Sequence, residues 1–154
     1  MKKILISLAP ALVLAASVCM AVPAAAQTAA APMATSSALF ETFGGKVGLV
    51  KLMDHFMVGL LADARTGPHF KPANQQRIKE QLIDQFCVVM DGPCAYKGAD
   101  MKSSHAAMDI TKSDFNALVE VLQRSMDAQG IPFGAQNQLL AKLAPMHRDV
   151  ITVK

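Results

Sequence analysis

Four histidines, a pair of cysteines past the midpoint and several methionines are the side chains here with the most chemistry to offer. His105 has the most suggestive setting. Met101 lies four residues before it and Met108 three after, so in a helical turn all three share one face. A neutral imidazole is a good metal donor, and a thioether beside it packs polarizably without bringing a competing charge. Taken alone, a histidine next to Ser103 and Ser104 is more simply an exposed polar side chain, the default for its type. His55, beside Phe56, and His147, after Pro145, read as surface residues in the same way. Cys87 and Cys94 flank an Asp-Gly-Pro turn. Their spacing permits a disulfide and rules out a CxxC redox pair.

Helices must position these residues, because helical periodicity recurs along the chain and strand-like alternation is almost absent; the expected fold class is all-α. A short apolar piece, Leu39 to Phe43, ends at Gly44-Gly45. The next helix spaces Leu49, Met53, Phe56 or Met57, and Leu60 by threes and fours, and Asp63 to Pro68 closes it. Ile78, Leu82, Phe86 and Val89 or Met90 line one face of a further helix, with Arg77, Lys79, Glu80 and Asp84 around it. Asp91-Gly92-Pro93 stops that helix.

A loop with Tyr96 and Gly98 then leads to a turn or two of helix, Met101 to Ala107, carrying His105. Thr111 caps the clearest helix, with Asp114 in its third position. Phe115, Leu118, Val119, Leu122 and Met126 form its expected buried face, and Gly130 ends it. The last helix runs from about Ala135 through Leu139, Leu140 and Leu143, with Pro145 bending it.

Ahead of the helices stands a segment of another kind. Lys2 and Lys3 precede a mostly apolar stretch, Ile4 to Val22, and Ala24-Ala25-Ala26 offers the small residues that a signal peptidase requires. Residues 1–26 therefore read as a secretory signal peptide, 27–38 as a flexible Ala-, Pro- and Thr-rich lead-in, and 39–152 as one domain. A retained membrane anchor fits less well, since Pro10 and Ser17 interrupt the apolar run and no basic cluster follows. Cleavage implies a periplasmic or secreted protein with no membrane attachment, in a compartment where Cys87 and Cys94 would be oxidised. The chain has 15 Lys and Arg against 12 Asp and Glu; losing Lys2 and Lys3 leaves a single excess positive charge, which argues against a nucleic-acid partner.

In order along the chain, Gly44-Gly45, the stretch Phe56 to Asp63, Phe70, Gly92-Pro93, Tyr96, Gly98, Met101, His105, Ile110-Thr111 with Phe115, Leu143-Ala144-Pro145 and Asp149-Val150 form a specific pattern. From Leu39 to Val150 it resembles a truncated haemoglobin, most like the first of that family's groups. The resemblance implies a two-over-two helical globin around a b-type haem, with His105 as proximal ligand to the iron and Phe70 on the haem edge. It places Met101 and Met108 beside the macrocycle and Phe86 and Tyr96 in the cofactor's surroundings. His69, next to Phe70, is then a remote candidate for a second iron ligand.

The distal side departs from the familiar family pattern. Met57 stands where the best-known members carry a tyrosine, and Ile78 and Leu82 occupy the positions that approach a ligand. Such a pocket is apolar. A buried donor facing dioxygen is worth roughly 1.5 to 3 kcal/mol, so its loss weakens oxygen retention about tenfold to a hundredfold. Gln81 and Gln85 flank the Ile78 and Leu82 stripe as possible substitutes, though helical phase favours solvated or propionate-facing amides. Arg77 and Lys79 are the nearest cations for the haem propionates. The expected function is reversible binding of diatomic gases: dioxygen, nitric oxide or carbon monoxide. The alternative is a haem-dependent enzyme, a nitric oxide dioxygenase or weak peroxidase, needing an external electron donor because the chain has no flavin or nicotinamide motif.

Overall fold

The computed structural model describes residues 37–153; the leader at 1–26 and the lead-in up to residue 36 lie outside the described residues. Short helix α1, Ala38–Thr42, is capped by the Ser37 hydroxyl, which accepts from the Phe40 N–H and also donates to the Met90 carbonyl. The chain then turns through Gly44, whose φ of 78° lies in the left-handed region. It enters α2, Gly45–Ala62. Gly48 is fixed by this turn, because a Cβ there would run into the Phe43 carbonyl oxygen.

Helix α2 buries Leu49, Leu52, Met53, Phe56, Met57 and Leu60, a continuous apolar stripe at helical spacing. Burying side chains of this size contributes on the order of 1.5 to 3 kcal/mol each. The stripe is flanked by α4, Gln75–Val89, and α6, Lys112–Ala128, and α2 packs on both. Helix α7, Phe133–Leu143, closes the other side against α1, α4 and α6. The pairs α2 with α4 and α6 with α7 form the expected two-over-two arrangement, and no strand occurs among the described residues. None of these helices is long and apolar enough to cross a membrane.

Local signals set most of the ends. Asn74 caps α4 by accepting from the Arg77 N–H, and the Thr111 hydroxyl and Asp114 carboxylate form a reciprocal capping box at the start of α6. The Thr111 hydrogen bonds, with help from nearby His69, hold the Asp114 carboxyl below its ordinary range. At the end of α2, Asp63 bridges Arg65 and Arg124, and Arg65 also meets Glu120. That network ties the α2 terminus to α6 at the surface, where such pairs add little stability.

Four elements differ from the sequence expectation. Gly67–Phe70 forms a short helix, α3, started by Pro68, where only a closing turn is expected. The helix bearing His105, α5, spans only Met101–His105. Helix α7 begins after Pro132, two residues ahead of the expected Ala135. Pro145 ends the regular helix rather than bending it: α7 stops at Leu143, a 3-10 turn covers Ala144–Met146, and α8 is His147–Val150.

Cys87 is fully buried late in α4 and is joined by a disulfide to Cys94, with Cα atoms 5.9 Å apart. The bridge closes a small ring around the turn that leads to α5. In the loop-entropy picture it contributes about 2.5 kcal/mol. Reducing it should lower the unfolding free energy in guanidinium by that amount, while the unreduced protein resists alkylation at both positions. Two alkylatable thiols in the oxidised protein would remove this bond from the account.

Candidate functional site

Helix α5 is too short to persist alone, so its position comes from its attachments. Asp100 caps it, accepting from the Ser103 N–H at 2.9 Å and the Ser103 hydroxyl at 2.7 Å, bonds that also lower the Asp100 carboxyl below its usual range. Before the cap, the Tyr96 hydroxyl donates to the Ala99 carbonyl at 2.8 Å, and partial burial followed by the Asp100 charge pushes the phenol upward. Gly98 lies under this tyrosine, and a Cβ there would strike both the Tyr96 ring and the Gln81 amide. The loop carrying Tyr96 is thereby pressed against α4. On its other side α5 packs on α8.

The last residue of α5 is His105, half-buried. Its Nδ1 lies 2.7 Å from the Met101 carbonyl oxygen. A carbonyl only accepts, so Nδ1 carries a proton, and in the neutral ring Nε2 then presents its lone pair. No partner for Nε2 occurs among the described residues. This is the arrangement by which a backbone carbonyl orients a metal-binding imidazole and raises its basicity.

Phe70, Ile78, Leu82, Met101, Met108 and Phe115 are large apolar side chains that are only half-buried. Their incomplete burial contrasts with the interior of α2, where Leu49, Met53 and Leu60 are fully covered. Helix α6 shows the division directly. Its buried residues are Ala117, Val121, Leu122, Ser125 and Met126. Of the expected stripe, Phe115, Leu118 and Val119 are only half-buried, and of these Leu118 still packs against the core. Met57 and Phe86 are buried, Phe86 within the core cluster.

The remaining site residues fall in mixed positions. Phe70 and Leu82 pack against the core from its margin. Arg77 is exposed at the start of α4 and makes no ion pair among the described residues. Lys79 is not open in the way the sequence suggests: its ammonium sits 2.6 Å from Asp54 on α2. His69 stands 3.8 Å from the Asp114 carboxylate and is directed to the start of α6. His55 and His147 are exposed. The Gln85 amide turns to sulfur, 3.3 Å from Met101 Sδ and 3.6 Å from Met146 Sδ. Among the described residues, no group of three or more His, Cys, Asp or Glu side chains could hold a bare metal ion.

Sequence reasoning missed the Asp100 cap, although Asp-x-x-Ser before an apolar-spaced turn is a local signal for it. It also missed the strap formed when Thr152 bonds both backbone groups of Ile110, which no local pattern announces. The donor set suits the haem that the resemblance implies: one oriented imidazole with an open nitrogen, a thioether on the same short helix, and large apolar side chains on α3, α4 and α6 that the fold leaves only half-buried.

Comparison with known proteins agrees. A profile for bacterial-like globins matches residues 38–152. A group 1 truncated hemoglobin of Mycolicibacterium paratuberculosis is 28% identical over 119 residues, covering 77% of this chain and 88% of that protein. One from Tetrahymena thermophila is 30% identical over 93 residues, covering 60% of this chain and 77% of its own. Among solved structures, the truncated hemoglobin of Tetrahymena pyriformis superposes with a TM-score of 0.71 at 24% identity, over 73% of this chain and 97% of that one.

Proposed function

The chain belongs to the bacterial-like globin family, a family of haem-binding proteins, and from that premise we propose that it holds a b-type haem through His105 and reversibly binds diatomic gases. The observation that carries this reading is the half-buried His105 ring, with Nδ1 committed to the Met101 carbonyl and Nε2 without a partner among the described residues. When bound, haem supplies the iron at which small gas molecules are taken up. The Met101 carbonyl fixes the imidazole plane, while Phe70, Met101 and Met108 would cover a hydrophobic macrocycle and keep water from it. Of the two candidate cations for a propionate, exposed Arg77 is the freer, since Lys79 is engaged by Asp54.

Met57, Ile78 and Leu82, which the resemblance would put on the ligand side, carry no hydrogen-bond donor. Such a pocket suits nitric oxide and carbon monoxide, which depend little on one, at least as well as dioxygen. The leader at 1–26 supports export, with the working protein periplasmic or secreted.

Expression of the complete chain in a Gram-negative host tests both parts. The protein should appear in the periplasmic fraction with Gln27 at its N-terminus, and should show a Soret band that shifts when the ferrous form meets carbon monoxide. A colourless protein after haemin addition would end the haem reading; a cytoplasmic product retaining Met1 would end the export reading.

A further inference from the structure

Gln85 occupies an unusual place. It projects from α4, the helix that carries Ile78 and Leu82, yet its amide makes its contacts across the fold with two sulfurs on the His105 side. One sulfur belongs to Met101, the first residue of α5; the other belongs to Met146, in the 3-10 turn that leads into α8. The NH₂ group has two protons, so one amide can serve both thioethers, each a weak acceptor. Helix α8 in turn packs on α5. A single side chain of α4 thus holds both pieces that fix the five-residue helix.

The consequence passes through Met101. Its side chain meets Gln85, and its carbonyl oxygen is the atom that accepts the Nδ1 proton of His105 at 2.7 Å. We infer that Gln85 is a positioning residue for the His105 imidazole: by anchoring Met101 it keeps that carbonyl under Nδ1 and so keeps the Nε2 lone pair aimed outward. Other anchors of α5, the Asp100 cap and the Tyr96 loop, act on the backbone before the helix and do not touch the Met101 side chain. Gln81, one turn earlier on α4, faces Gly98 and cannot replace this contact.

The inference rests on His105 as the iron ligand, but its first test needs no haem. In the cofactor-free protein, ¹⁵N-resolved NMR of His105 should report predominantly the Nδ1–H tautomer. In Gln85→Leu, similar in size but without the donor, a large share should move to the Nε2–H tautomer that free imidazole side chains favour. Gln76→Leu, on the exposed face of the same helix, should behave as wild type.

Haem-loaded Gln85→Leu should then lose haem to apomyoglobin about tenfold faster than Gln76→Leu, the lower end of what losing an outer-sphere support costs. Far-UV circular dichroism confirms that both variants are folded. An unchanged tautomer in Gln85→Leu overturns the proposal whatever the haem does, as does a shifted tautomer with haem loss equal to the control. Retention of haem by His105→Ala would instead bring down the functional reading, which keeps the two failures distinct.

Discussion

His105→Ala should lose the Soret band that the wild-type protein shows with haemin, and millimolar imidazole in the buffer should restore most of it. The expectation follows from geometry. His105 is the one histidine that combines a half-buried setting, an Nδ1–H donated to a backbone carbonyl and an Nε2 without a partner among the described residues. The other three fail on one count or more: His55 and His147 are exposed, and His69 faces the Asp114 carboxylate. Removing the axial donor leaves only hydrophobic contact to retain haem. Retention should weaken by at least a hundredfold, about 2.7 kcal/mol.

The substitution should leave the fold intact. Asp100 still caps α5, and the buried side chains of α2, α4 and α6 are untouched. His55→Ala and His147→Ala should keep full colour. A His105→Ala protein as intensely coloured as wild type, or colour lost equally in the His147 variant, would remove the proximal assignment.

How much of this was readable beforehand depends on the range over which each feature is decided. The start of α6 was legible because Thr111 and Asp114 are three residues apart and satisfy each other locally. The stripes of α2 and α4 were legible because burial on one side imposes the helical period on the sequence. Helix α3 was not, since four residues including Pro68 show no period at all. The inner edge of α6 was misplaced for a related reason. Periodicity marks which residues are apolar but not which neighbour they meet, so Phe115 and Val119 looked equivalent to Leu122.

At the site, residue types were readable while their partners were not. Lys79 was a reasonable cation for a propionate until Asp54, on another helix, proved to lie against it. Gln85 looked solvated because its partners, Met101 and Met146, come from segments whose approach only the tertiary fold sets. The significance of His105 came from the family resemblance; its own neighbours in sequence favoured an exposed residue. The hydrogen bond to Met101, four residues back, is a local feature, yet it forms only if residues 101–105 are helical.

Met57→Tyr should slow oxygen release by about tenfold to a hundredfold. Met57 is buried on α2 and borders an open groove of about 380 Å³ between α2 and α4, lined also by Asp54, Leu61, Gln75 and Lys79. If Met57, Ile78 and Leu82 are the distal side chains, as the resemblance implies, none of the three donates a hydrogen bond to a ligand that gathers negative charge, as dioxygen does. A tyrosine hydroxyl would supply one, and a bond of that kind contributes roughly 1.5 to 3 kcal/mol. Carbon monoxide gathers little charge, so its release should change by no more than about threefold, under 1 kcal/mol. Met57→Phe supplies the same ring without the hydroxyl and separates polarity from bulk. Stopped-flow release rates for the three proteins decide the matter: if tyrosine and phenylalanine slow oxygen equally, shape governs the pocket, and if neither differs from methionine, residue 57 does not face the ligand.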